Sequence, residues 1–349
     1  MSMAVKKQDS NDFAQLKKDL KNGDLMQLYF MYGDESYLRE HYLSECKKAL
    51  IGDSPFADFN LFEFDKDVHL DQWRDAVESY PAMADRKLVI VRDYDPFKSS
   101  GESGDFFIDL FSNLPEYLCL IFYYESIEFK PDKRTKVYSA AKKTAQFVEY
   151  TYLDEKQLID WIKRRFRALG KYIEVETCQY MIFLCGNSMT NLVTEIEKAA
   201  SFATVDTVTE YHINSVCSPV MDAVIFDLTD AITENRYDKA INLISNLIAQ
   251  KNSEVSIFST IFKHIQRLYF AKLNHISRGD ERELLTLIGS NSSFFARKLS
   301  SSAQKLTIEW LRNALLLCAQ TDSELRDSNI SHRQKAIELT LLEISTTQR

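Results

Sequence analysis

The hydrophobic pattern changes period twice along the chain, and those changes outline its organisation. Leu25–Tyr32 is a run of β-forming residues that stops at Gly33, and Tyr37–Leu50 comes next with apolar residues Tyr37, Leu38, Tyr42, Leu43 and Cys46 near helical spacing. The alternation continues with predicted strands Phe59–Phe64, Lys87–Arg92, Leu118–Tyr124 and Phe147–Tyr150, separated by helices Leu70–Ser79, Phe106–Asn113 and Lys133–Lys143. A first helix is expected over Asp12–Asn22, and Ser99–Gly104 reads as an exposed loop. Strands that alternate with helices and carry continuous apolar runs such as Leu88-Val89-Ile90-Val91 predict a parallel sheet covered on both faces. Residues 1–150 are therefore expected to form an α/β domain.

From Tyr152 onward only helical patterns are read. Glu155–Leu169, Glu174–Cys185, Met189–Ala203 and Glu210–Cys217 make a small helical domain over 151–218. Pro219 is the last proline, and Gly279 and Gly289 are the only glycines in residues 220–349, as long amphipathic helices require. Helices are expected over Asp222–Glu234, Tyr237–Gln250, Glu254–Arg278, Arg282–Ile288, Ser292–Ala303, Ile308–Arg326 and Ser331–Ile344, giving a helical bundle over 219–349.

Composition narrows the class. The 349 residues are 45% hydrophobic and 27% charged, as in soluble globular proteins, and no apolar run approaches the ~20 residues that span a bilayer. The start MSMAVKKQDSNDF lacks the apolar run of a secretory signal, so a cytoplasmic location is expected. Six scattered cysteines, without a C-x-x-C pair, read as small buried hydrophobes; Cys185 and Cys318 are expected to be inert thiols. The net charge of −8 is front-loaded: residues 1–150 carry 20 basic and 27 acidic side chains, whereas 219–349 carry 16 and 15. That distribution argues against a dedicated duplex-binding surface.

Candidate chemistry is sparse. The turn after the first strand, where a nucleotide-binding α/β domain places its phosphate loop, reads Met31-Tyr32-Gly33-Asp34-Glu35-Ser36-Tyr37. It has one glycine, no lysine and two carboxylates, so phosphate binding there is not expected. The six histidines form no metal-ligand spacing, there is no G-x-S-x-G elbow, and the acidic pairs Asp93/Asp95 and Asp227/Asp230 read as solvated element ends. No catalytic residue, cofactor or metal is therefore expected. Two basic runs stand out, Lys130–Lys136 with Lys142-Lys143, and Lys163–Arg167; on a helix Lys163, Arg164 and Arg167 share a side that can face DNA or another subunit, a solvated face being the simpler reading. At Tyr80-Pro81-Ala82-Met83 a helix ends at a proline before flexible apolar residues, a tip suited to a partner's pocket. On the bare sequence the plainer expectation is that Met83 packs under its own sheet.

Tyr29-Phe30-Met31-Tyr32-Gly33-Asp34-Glu35-Ser36-Tyr37-Leu38, Tyr80–Asp93, Asp132-Lys133-Arg134, Trp161-Ile162, Val224–Ile232, Phe262–Leu268 and Lys272-Leu273, taken in order, resemble the delta subunits of bacterial DNA polymerase III. The resemblance implies an AAA+-like α/β domain with a parallel sheet, a small helical lid and an all-α helical collar. It implies a clamp-loader subunit of the polymerase holoenzyme, a nucleotidyltransferase complex, without ATPase activity of its own. Such a subunit binds the ring-shaped beta sliding clamp and opens it for loading onto primed DNA, with gamma/tau and delta-prime subunits as collar partners and no membrane involvement. The clamp-contacting positions fall on Tyr80, Pro81, Ala82 and Met83, with alanine where a bulky residue is usual. The competing expectations are a P-loop NTPase with an atypical loop and a DNA-binding adaptor working through Lys163–Arg167.

Overall fold

The computed structural model describes residues 6–52, 55–325 and 332–346. The chain divides into two compact units, Met1–Tyr152 and Leu153–Arg349.

The first unit runs α1 (Lys6–Asn22), β1 (Leu28–Tyr32), α2 (Ser36–Leu50), α3 (Ala57–Asn60), β2 (Leu61–Phe64), α4 (Leu70–Glu78), β3 (Lys87–Arg92), a 3-10 turn at Pro96–Lys98, α5 (Glu102–Ser112), β4 (Leu118–Tyr123), α6 (Lys136–Thr144) and β5 (Gln146–Glu149). All five strands are parallel, in the order β2-β3-β4-β1-β5. This is the expected α/β domain with a parallel sheet. Strand side chains alternate between two cores, as the pleat requires. Leu28, Phe30, Val89, Val91, Leu120 and Phe122 enter one core with Trp73 and Phe107; Tyr29, Met31, Leu88, Ile90, Cys119 and Ile121 enter the other with Leu16, Leu43 and Cys46. Phe30 is the pivot of the first core, stacked on Phe122 at 4.8 Å and on Phe147 at 4.9 Å.

The expected loop at Ser99–Gly104 is shorter than the sequence suggested. Helix α5 starts at Glu102, and Gly104 is buried where a Cβ would stand 3.2 Å from the Ser99 carbonyl oxygen. Serine and glycine gave no helical signal there, yet the absence of a side chain is what lets the first turn of α5 approach the backbone of Ser99.

The second unit is mostly helical: α7 (Glu155–Ala168), β6 (Tyr172–Ile173), α8 (Val175–Cys185), α9 (Met189–Phe202), β7 (Thr207–Val208), α10 (Glu210–Val216), then α11 (Met221–Thr233), α12 (Tyr237–Ala249), α13 (Glu254–Ile276), α14 (Glu281–Ile288), α15 (Ser293–Gln304), α16 (Ile308–Leu325) and α17 (Arg333–Thr346). The purely helical reading of this half missed the short parallel pair β6–β7, whose two-residue strands carry too little periodicity to register. Helix α13 is the spine of the later bundle, packing against α11, α15 and α16 around Ile257, Phe258, Ile261, Leu268, Trp310 and Leu311. Phe183 of α8 lies against this core, 5.1 Å from the Phe226 ring. Arg326 and Ser331, the expected end and start of two helices, lie outside the described residues.

Candidate functional site

The tip before β3 is built from its flanking elements. Trp73, Ala76 and Val77 bury one side of α4, and Pro81 cannot continue the helix. The chain then turns through residues 79–86 to the buried strand. Lys87, 1% exposed, reaches back to donate to the Ser79 carbonyl and, at 3.0 Å, to the Ser79 hydroxyl. A cation at a helix C-terminus complements the unpaired carbonyls. Burial pushes the Lys87 ammonium down to about 8. The Tyr117 hydroxyl donates to the Glu78 carbonyl at 3.1 Å, and its ring lies 5.1 Å from that of Tyr80. Arg86 donates to the Leu25 carbonyl at 2.6 Å and the Met26 carbonyl at 3.3 Å.

At the apex, the backbone of Ala82 is held by the buried Asn60 of α3. The Ala82 N–H donates to Asn60 Oδ1 at 2.7 Å, and Asn60 Nδ2 donates to the Ala82 carbonyl at 2.8 Å. Pro81 and Ala82 are half-buried, while Tyr80 is 83% and Met83 84% exposed. Met83 does not pack under its own sheet: its backbone is left-handed, φ 50°, and its side chain points to solvent. A non-glycine residue in that region carries a local cost that the surrounding bonds must offset. Asn60, which holds this tip, escaped the sequence reading; lying 22 positions away, it offers no local signal.

At the turn after β1 the backbone is consumed internally. Gly33 has φ 119°, and a Cβ there would stand 2.4 Å from the Tyr150 carbonyl oxygen. The Glu35 N–H donates to that oxygen at 2.9 Å, and the Tyr150 N–H donates to the Tyr32 carbonyl at 2.7 Å. Arg39, buried, donates to the Gly33 carbonyl, and the Tyr37 N–H donates to Glu35 Oε1 at 3.1 Å. The amides of Glu35 and Tyr37 thus already have acceptors within the protein.

Asp93, expected at a solvated end, is instead a structural carboxylate. It accepts from the backbone N–H groups of Glu125, Ser126 and Ile127 at 2.7, 2.8 and 3.2 Å. Burial alone would raise its pKa, but these three donors outweigh that and hold it below the usual carboxylate range. Asp95 likewise accepts from the Phe97 N–H and pairs with Lys98 at 3.1 Å. Asp230 is half-buried, and burial raises its pKa.

In the second unit, α7 buries Ile162 and Phe166 and leaves Arg164 and Arg167 exposed, with Lys163 half-buried. Arg165 turns instead toward Glu197, 3.4 Å away. All six cysteines are buried and unbridged. Burial pushes the Cys318 thiol up to about 12. Cys185 is raised further, by its hydrogen bond with Cys217 and by burial. These two thiols lie beside Glu195, a grouping invisible in their spacing; that carboxylate already accepts from Ser218 N–H at 3.0 Å and pairs with Lys198 at 2.6 Å. No described helix is long and apolar enough to cross a membrane.

Comparison with known proteins identifies the family. The chain is 25% identical over 342 residues to the DNA polymerase III subunit delta of Bacillus subtilis, covering 94% of this chain and 95% of that one. It is 21% identical over 173 residues to a probable DNA polymerase III subunit delta of Aquifex aeolicus, 49% of each chain. The solved structure of the Bacillus subtilis DNA clamp loader delta protein shares the fold at a TM-score of 0.52 and 22% identity, over 95% of this chain and 99% of that one. Family models for the DNA polymerase III delta subunit and for its C-terminal domain match residues 29–151 and 222–344, so that the tip and most of the strand–turn–helix unit and of the later bundle fall within them, and the chain belongs to the DNA polymerase III delta subunit family.

Proposed function

We propose that this chain binds the beta sliding clamp through the tip Tyr80-Pro81-Ala82-Met83 and favours its open form, so that the ring can be placed on primed DNA. The observation that carries this reading is Met83: 84% exposed and held left-handed at the apex of a loop whose backbone is anchored on both sides. Anchoring reduces the entropy lost on binding, and methionine adapts its shape to an apolar pocket. Alanine at position 82 fits this picture, because its contribution is backbone fixation rather than side-chain area.

A protein without chemistry of its own opens a ring when it binds the open form more tightly than the closed one, since a ligand shifts an equilibrium only by its differential affinity. ATP is then hydrolysed by other loader subunits. The amides of Glu35 and Tyr37, engaged by Tyr150 and by the Glu35 carboxylate, support a chain that does not hold nucleotide. Residues 219–349 serve as the collar for gamma/tau and delta-prime subunits, 151–218 as the lid, and Lys163, Arg164 and Arg167 face DNA or a neighbouring subunit. The complex works in the cytoplasm.

Titration of the purified beta clamp with the full chain tests the reading. Met83→Asp weakens binding by more than ~2 kcal/mol, because a charge would be buried at a hot spot. Unchanged affinity overturns the assignment. Saturable binding of a labelled ATP to the isolated chain overturns the non-ATPase part.

A further inference from the structure

Large apolar side chains exposed in the first unit are concentrated rather than scattered. Among the described residues they are Met26, Phe56, Phe59, Tyr80, Met83 and Tyr152. The first five stand just ahead of a strand: Met26 before β1, Phe56 and Phe59 before β2, Tyr80 and Met83 before β3. In a parallel sheet the amino ends of all strands lie along one edge, so these five side chains share the edge opposite the turn at Gly33.

Hydrogen bonds join the segments that carry them. Asn60 Nδ2 donates to the Phe56 carbonyl at 3.1 Å as well as to Ala82, so one buried amide ties α3 to the tip. Arg86 ties the end of the tip to Met26, and Gln27 donates to the Leu114 and Pro115 carbonyls at 3.1 and 2.9 Å, fixing the loop ahead of β4 to the same edge. Phe59 is 66% exposed, one position before the residue that holds Ala82. An aromatic side chain left in water beside a preorganised apolar tip marks a contact surface larger than the tip alone.

We propose that the amino edge of the sheet is one continuous docking surface, with Phe59 of α3 as a second anchor beside Met83, and that its occupant is the same sliding clamp. This rests on the function proposed above and extends it. Hot spots cluster and favour aromatic residues, and Phe59 supplies on α3 the bulk that Ala82 does not supply on the tip. Asn60 makes the two anchors move as one body, so the ring meets a rigid pair.

The test is calorimetric titration of the full chain with the purified beta clamp, comparing the unsubstituted chain with Met83→Asp, Phe59→Ala, Phe59→Gln and Tyr152→Ala. Expected is a loss of at least tenfold for Phe59→Ala and Phe59→Gln, a larger loss for Met83→Asp, and less than twofold for Tyr152→Ala, which lies off this edge. Loss on Met83→Asp with unchanged affinity for both Phe59 variants overturns the two-anchor surface while leaving the tip in place. Unchanged affinity for Met83→Asp overturns the underlying reading. Equal losses for Tyr152→Ala and Phe59→Ala overturn the confinement to this edge.

Discussion

The Asn60 side-chain amide grips the Ala82 backbone from both sides, accepting at 2.7 Å and donating at 2.8 Å, so a buried residue of α3 dictates the shape of an exposed loop ahead of β3. Because the tip has only one bulky apex residue, its rigidity matters more than its area.

Replacing that clasp exposes its worth. Asn60→Ala leaves the Ala82 N–H and carbonyl without their partner and is expected to destabilise the first unit by about 1–3 kcal/mol. Urea unfolding followed by tryptophan fluorescence, with Trp73 reporting this unit, checks the value. A change below about 0.3 kcal/mol shows that water satisfies these groups equally well.

Gly33→Ala addresses the turn after β1. A methyl group would sit 2.4 Å from the Tyr150 carbonyl oxygen, on a backbone at φ 119° that an L side chain rarely adopts. The expected cost is roughly 3 kcal/mol or more, seen as a large fall in melting temperature. A variant that melts with the unsubstituted chain contradicts the close approach of β1 and Tyr150.

His264 gives the later bundle an acid sensitivity. It is 3% exposed, its ring lies 4.3 Å from Phe226, and burial, with Arg267 nearby, pushes its pKa down to about 3 from the ordinary 6.5. Between those values the unfolded chain binds a proton that the folded chain refuses, so stability is full above about 6.5 and falls as the pH drops toward 3. His264→Phe is expected to flatten the urea-midpoint curve in that window. Parallel curves for the two chains remove His264 as the cause.

Lys87 acts in the alkaline range. With its pKa at about 8 against an ordinary 10.5, the folded state releases a proton that the unfolded state keeps, so the penalty for burying the charge fades and stability rises across that interval. Lys87→Met is expected to lose this rise, read as the difference between the two chains' urea midpoints from about pH 7.5 to about pH 10. An identical rise in both chains assigns it to other groups.

Much of the architecture was legible in sequence because its causes are local. The run Leu88-Val89-Ile90-Val91 predicted β3 at its observed bounds, and alternate members of that run enter the two cores as a parallel strand's pleat dictates. The start of α5 and the β6–β7 pair escaped, since Gly104 helps through an absent side chain and two-residue strands exist only by pairing with a segment far along the chain.

The amino-acid order alone determined the succession of an α/β half and a helical half and the missing lysine at the turn after β1. Tertiary structure decided that Met83 faces solvent, that Asn60 holds Ala82, that Asp93 is wrapped in backbone amides, and that Phe59 shares an edge with the tip. The physical reason is range. Periodicity and propensity act over a few neighbouring residues, whereas these contacts join segments whose closeness depends on which strands lie side by side in the sheet.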